Sequence, residues 1–213
     1  MDELSGTKEL IFDAFIELVS ILGYENVSMK NVAGKVGINS ASIYYYFDSK
    51  IQILEHVYDY YLNHIYDTRK PIEAMAKLVE TASADEIVSA LAYTFETKDR
   101  KQHARMVLIT KIIYMRLYQD QNANEIFNET NLNNKEYVNS ILRHGIAAGR
   151  IDPGFATETF ADVLVGAVMI TGIKYFAGPA FTADEIGQGA KILELFTRLL
   201  STALLNESLS DDA

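Results

Sequence analysis

Cysteine is absent from all 213 residues, so no disulfide framework, thiolate metal site or cysteine nucleophile can be built from this chain. A reducing cytoplasm suits such a chain. Histidine is scarce, at positions 56, 64, 103 and 144 only. His56 and His64 are expected on one helix, too far apart for one metal ion and away from any carboxylate cluster of ligand spacing, which makes them structural. A glycine-rich phosphate loop and a His-Glu-x-x-His pair are both missing. An enzyme therefore has no residues behind it, and neither a metal nor another cofactor is expected.

Long apolar runs are missing too. Phe160 to Ile173 is the most apolar stretch, but Asp162 interrupts it and Lys174 bounds it, so it is too short and too charged to span a bilayer. Asp2 and Glu3 stand where a signal peptide would carry basic residues, and a soluble, cytoplasmic protein is expected. Positive charge is thin at the front of the chain. Residues 1–50 hold four lysines, seven carboxylates and no arginine, a net −3 within a chain of −10, and Arg69 is the first arginine.

What remains is helix. Nothing alternates with period two for long, and no internal repeat or low-complexity linker occurs. The expected class is all-α: a helix-turn-helix domain over 1–50, joined by a helix to a larger helical domain over 51–213. An amphipathic helix over 8–22 carries Leu10, Ile11, Ala14, Phe15, Leu18, Val19 and Leu22 as its apolar stripe, with Asp13, Glu17 and Ser20 on the wet face, and Gly23 ends it. Ser49 and Gln52 are spaced as a capping box for a helix to about 66, lined by Ile51, Leu54, Val57, Tyr58, Tyr61, Leu62 and Ile65. Pro71 marks a break. Further helices are expected over 71–80, 84–97, 100–119, 123–149, 155–177 and 183–206, with an interruption of the fourth of these at Asn131, Asn133 and Asn134. Ser83–Glu86 and Thr182–Glu185 read as capping boxes, and Asp152-Pro153-Gly154 and Gly178-Pro179 as turns.

The stretch Ser28–Lys50 organises the rest. Ser28 can cap a short helix whose apolar face is Met29, Val32, Ala33 and Val36. Gly37 stops it with a positive φ, and Asn39 can cap a second helix of barely two turns. Ile43 and Phe47 face inward from that helix; Ser40, Ser42, Tyr45 and Tyr46 are left pointing out. Two short helices about a glycine turn form a helix-turn-helix.

Gly23-Tyr24, Ser28, Val32-Ala33, Gly37-Ile38 and Ile43-Tyr44-Tyr45-Tyr46-Phe47 followed by Lys50 resemble, in order and spacing, the DNA-binding segment of TetR-family transcriptional regulators, over residues 7–55. The resemblance implies that Lys30, Ser40 and Ala41 approach base edges while Ser28, Ser42, Tyr44, Tyr46 and Lys50 hold phosphates, with Tyr45 exposed among them. Ala41 stands where the family often has glycine, and Tyr46 where it often has histidine. Lys8 matches a family position that is more often arginine, and keeps the charge without the fork.

The resemblance also implies a homodimer through residues 155–177 and 183–206, where apolar side chains surround the helix over Phe160–Ile173 and again at Ile192, Leu193, Leu195, Phe196, Leu199, Leu200, Ala203 and Leu204, and where Gly166, Ala167 and Gly172 are small enough for close approach. Two heads about a two-fold axis would meet successive major grooves about 34 Å apart and require a near-palindromic operator. A small-molecule effector among the body helices would shift the separation of the heads; it must prefer the non-binding form, since equal affinity shifts nothing. Tyr93, Met106, Tyr114, Met115, Tyr118, Phe127, Phe160 and Met169 are large, adaptable candidates for an apolar cavity. The same stripes are what an ordinary core requires. Arg105, Lys111 and Arg116 leave an anionic effector open, and Asp162 a cationic one.

The expected function is thus a DNA-binding regulator of the repressor type, released by an effector. Phosphate contacts come largely from Lys and Arg, so an acidic head implies few, well-placed cations, strong salt dependence and little non-specific binding. The rival is a TetR-like helical ligand- or partner-binding protein whose acidic head no longer grips DNA.

Overall fold

The computed structural model describes residues 6–65, 70–92, 100–177 and 183–205. Among them are nine α-helices: α1 (Gly6–Leu22), α2 (Met29–Val36), α3 (Lys50–Ile65), α4 (Ile72–Thr81), α5 (Ala84–Ala92), α6 (Arg100–Arg116), α7 (Gln121–Ala147), α8 (Thr157–Ala177) and α9 (Ala183–Ala203). The chain is all-α. Two compact units share these helices. One comprises Met1–Thr68 and Phe95–Asn128, the other Arg69–Thr94 and Glu129–Ala213.

In the first unit α6 packs along α1 and α3, and α2 against α1. Its core joins Ile11, Phe12, Phe15 and Ile16 of α1 to Val32, Ile43, Phe47, Ile53, Val57, Ile109 and Ile112. The buried face of α1 is rotated from the expected stripe. Phe12 and Ile16 are buried while Leu10 and Leu22, at the ends of the helix, are exposed, and Ser20 is buried with its hydroxyl donated to the Glu17 carbonyl at 2.8 Å. Three helices, α2, α3 and α6, close on α1, so its dry face widens in the middle of the helix. On α3, Ile51 is exposed and Ile53 and Tyr60 are buried in its place.

In the second unit α5 lies along α9, with α8 against both. Met75, Ile87, Val88, Ile141, Leu142, Leu164 and Leu200 form its centre. Phe160 sits edge-on to Phe196 at 5.2 Å and tilted on Phe155 at 5.3 Å. The asparagine-rich patch does not interrupt α7, which runs unbroken through it. Buried Tyr137, Val138, Ile141 and Leu142 follow the patch on one face and hold the helix.

The helix ends obey local chemistry. Ser83 and Glu86 close a reciprocal capping box, Ser83 N–H to Glu86 Oε2 at 2.8 Å and Glu86 N–H to Ser83 Oγ at 3.3 Å. Gln52 N–H reaches Ser49 Oγ at 3.2 Å, but the Gln52 side chain accepts from Asp48 N–H at 2.7 Å, one residue earlier than expected. Asp152 Oδ1 accepts from Gly154 N–H at 2.6 Å, making the expected turn. Thr182–Glu185 and Gly178-Pro179 involve positions outside the described residues. Gly37 ends α2 at φ +80°, with its own N–H and that of Ile38 both bonded to the Ala33 carbonyl at 3.0 Å. A Cβ there meets nothing within 4 Å, so backbone strain is the whole cost of substitution. Gly37→Ala is expected to destabilise the first unit by about 1 kcal/mol in urea unfolding.

Candidate nucleic-acid interface

Ser28 closes a capping box on α2 with Asn31. Its Oγ accepts from Asn31 N–H at 3.2 Å, its own N–H donates to Asn31 Oδ1 at 2.9 Å, and its hydroxyl also bonds that amide oxygen. The α2 N-terminus therefore opens to solvent with Ser28 and Lys30 exposed beside it, a place where the helix dipole favours an anion. After Gly37, Asn39 Oδ1 accepts from Ala41 N–H at 2.8 Å, as the capping argument requires.

The second helix of the motif is shorter than expected: a single 3-10 turn over Ser42–Tyr45 with turn residues on both sides. Only Ile43 and Phe47 are anchored in the core, and two anchors one turn apart hold about one turn of helix. This geometry puts Ser40, Ala41, Ser42, Tyr44 and Tyr45 on one contiguous exposed strip. Tyr45 is 87% exposed, and the half-buried Tyr46 braces it edge-on at 5.4 Å. Hydroxyls, a methyl and ring edges are what this strip offers to a groove.

The cations around the strip are arranged unequally. Lys35 is ion-paired to Glu17 at 2.7 Å. Lys8 lies 5.3 Å from the Phe47 ring centre. Lys50 donates to the Tyr24 carbonyl at 3.0 Å and lies 4.0 Å from the Tyr24 ring centre, so its half-buried ammonium is turned onto the turn that precedes α2. His56 and His64 make the structural contacts expected of them, bonding the carbonyls of Gln52 and Tyr60 at 2.9 and 2.8 Å. Among the described residues no cluster of three or more His, Cys, Asp or Glu could hold a metal. No helix there is long and apolar enough to cross a membrane.

With this exposed strip on a capped helix-turn-helix, comparison with known proteins becomes decisive. Residues 11–57 match the family described as bacterial regulatory proteins, tetR family. That segment is the DNA-binding unit of the TetR family, and the chain as a whole resembles TetR-family transcriptional regulators. Over 180 residues it is 22% identical to the HTH-type transcriptional regulator SrpR of Pseudomonas putida, covering 81% of this chain and 76% of that one. Solved structures share the fold. A transcriptional regulator of Saccharomonospora viridis in complex with choline superposes with a TM-score of 0.65 at 16% identity, covering 94% of this chain and 98% of that one. The ketosteroid regulator KstR2 of Mycobacterium tuberculosis gives 0.63 at 15%, covering 96% and 98%. These likenesses support DNA-binding regulation of transcription.

The effector candidates fall apart into separate places. Met106 is in the core of the first unit, where Tyr114 and Phe127 meet edge-on at 5.7 Å, and burial pushes the Tyr114 phenol up to about 12. Phe160 and Met169 belong to the core of the second unit. Met115 is exposed and Tyr118 is 94% exposed, so neither faces an interior. Tyr93 lies outside the described residues. A groove of about 530 Å³ between α7 and α8 contains none of the eight. It is crossed by the pairs Lys135–Asp162 at 2.9 Å and Arg143–Glu158 at 2.5 Å, which puts Asp162 on an exterior ion pair. Arg105 and Arg116 are likewise committed, to Asp13 and Asp120 at 2.6 and 2.8 Å. Those partnerships leave Lys111 as the one of the three cations with no recorded ion pair among the described residues. Asp13 lies 92 residues from Arg105, too far to signal the pairing in the sequence, whereas Asp120 stands one helical turn from Arg116.

Proposed function

We propose that this TetR-family regulator is a cytoplasmic homodimeric repressor that binds a near-palindromic operator and is released by a small-molecule effector. Residues 1–50 read DNA and residues 51–213 bind effector and dimerise. The exposed strip Ser40–Tyr45 beside the open α2 N-terminus carries the DNA reading. Lys30, Ser40 and Ala41 approach base edges; Ser28, Ser42, Tyr44, Tyr46 and Lys50 hold phosphates.

Dimerisation is supported by apolar surface on the last two helices. Val163 and Ile170 of α8 and Leu195 and Leu199 of α9 are all exposed at helical spacing, and a Cβ at Gly166, between the first two, meets nothing within 4 Å inside the protomer. Apolar stripes of this kind mark an interaction face. The effector pocket is proposed in the first unit beside Met106, with the half-buried Tyr114–Phe127 contact as its firmest wall.

Selection of bound sequences from a random duplex pool tests the whole reading. A near-palindrome is expected to emerge, with Lys30→Ala weakening it and lowering the slope of log K against log salt by about 1. One observation favours the rival. Lys35 and Lys50 bond within the chain, which leaves the acidic head short of free cations. A pool that enriches nothing at low salt selects that rival, a TetR-like protein that binds ligand or partner but not DNA.

A further inference from the structure

The ring of Tyr24 touches two cations from opposite ends of the first unit's sequence. Tyr24 opens the short 3-10 turn Tyr24–Asn26 just before α2, set by Gly23 at φ +81°. The Lys50 ammonium, at the start of α3, lies 4.0 Å from the ring centre and donates to the Tyr24 carbonyl at 3.0 Å. The Arg116 guanidinium, in the last turn of α6, lies 4.1 Å from the same ring centre.

Arg116 is itself fixed. It is 9% exposed, forks onto Asp120 Oδ2 through Nη2 at 2.8 Å and Nε at 3.1 Å, and places Nε 3.3 Å from the Tyr58 hydroxyl. Tyr58 in turn donates to Asp120 at 3.0 Å, and Glu25, next to Tyr24, stands 3.6 Å from Nη1. A planar guanidinium held this way is a rigid platform for an aromatic face. Lysine has three N–H donors, of which Tyr24 takes one, leaving two to present to an acceptor outside.

We infer that Arg116 is a positioning residue for DNA binding, holding the Tyr24 ring so that Tyr24 in turn fixes the Lys50 ammonium where it meets a phosphate. The inference rests on the DNA reading proposed above. Arg116 never touches DNA in this arrangement. It supplies order: a lysine ammonium free to wander gives up rotamer entropy when it binds, whereas one already parked on a carbonyl and a ring does not. In a head with four lysines, one pre-positioned cation is a large share of the phosphate-binding capacity.

The test uses the full chain and a labelled duplex of the sequence enriched by selection. Tyr24→Leu and Arg116→Lys, the latter keeping the charge opposite Asp120, are each expected to raise Kd about tenfold. Tyr24→Phe, which keeps the ring and the carbonyl, should stay within about twofold of wild type. In a Lys50→Ala background, Arg116→Lys should add less than about twofold, because the residue through which it acts is gone.

Without DNA, the ε-methylene protons of Lys50 are expected to resonate upfield under the Tyr24 ring in NMR spectra. That shift should be lost in Tyr24→Leu and reduced in Arg116→Lys. A folded Arg116→Lys protein that keeps wild-type affinity, an Arg116→Lys effect that survives undiminished on Lys50→Ala, or an unmoved Lys50 resonance overturns the inference alone. A wild-type chain that enriches no duplex sinks the DNA reading and takes this inference with it.

Discussion

Gly145→Val is expected to lower the stability of the second unit by about 3 kcal/mol in urea unfolding, the largest single-site loss anticipated from a glycine among the described residues. Gly145 is buried on α7, and a Cβ built there comes within 2.6 Å of both Ile151 Cδ1 and Val79 Cγ1. Valine adds two further methyl groups to that collision. Ile151 has little freedom to retreat. Its N–H and that of Arg150 bond back to the Gly145 carbonyl at 3.1 and 2.9 Å, closing the end of α7 through Gly149 at φ +70°. On its other side Ile151 bridges Leu204, with Asp152 N–H on the Ala203 carbonyl at 2.8 Å and Leu205 N–H on the Arg150 carbonyl at 2.9 Å. Pushing Ile151 away therefore loosens the end of α9 as well. Gly166→Ala is the control. It meets nothing in the protomer, so alanine should raise protomer stability by up to about 1 kcal/mol through helix propensity. If the α8 stripe packs closely against a second subunit, the same substitution should weaken dimerisation, measured by sedimentation against concentration.

How much of this could be read beforehand divides along sequence distance. The motif Ser28–Lys50 was legible because its determinants are local: a cap three residues from its partner, a glycine at a positive φ, an asparagine that caps two residues on. What the sequence did not yield there was the length of the second helix, since a pattern of Ile43 and Phe47 is the same for a 3-10 turn and for two α turns. The dry face of α1 departs from the expected stripe at its edges because α6, which covers it, lies some ninety residues away. The low helix propensity of the α7 asparagines is outweighed by the apolar residues that follow them. The candidate effector residues share a composition, but neither a place nor a degree of burial, because the same large side chains serve equally as core. The cations were the least legible. Nothing near Arg105 or Lys50 in sequence announces partners as distant as 96 residues for Arg105 or 26 for Lys50.

Arg105→Ala follows from that hidden pairing and is expected to cost about 2 kcal/mol, with α6 losing its hold on α1. Arg105 lies mostly buried with its Nε and Nη2 forked onto the two oxygens of Asp13 at 2.6 and 2.8 Å, and its Nη2 also bonds Glu9. Removing the guanidinium leaves two partly buried carboxylates facing each other along α1. The figure stays below that for a fully buried pair because both carboxylates retain some contact with water. Arg105→Lys should recover about half of the loss, since it restores charge without the fork. Lys101, 58% exposed and bonded to Glu9 at 2.9 Å, is the contrast: Lys101→Ala is expected to leave the urea midpoint nearly unchanged. The pH dependence separates charge pairing from packing. The hydrogen bonds from Lys101 first and Arg105 second hold the Glu9 carboxyl below its usual value of 4.5, against the upward push of burial. A depressed folded pKa contributes stability that is complete above the unfolded pKa and is lost as pH falls through the folded one. The gap between wild type and Arg105→Ala should therefore be widest at neutral pH and narrow as pH drops from about 5 towards 3. A gap that stays constant through that window would assign the loss to the packing of the arginine stem instead of to its charge.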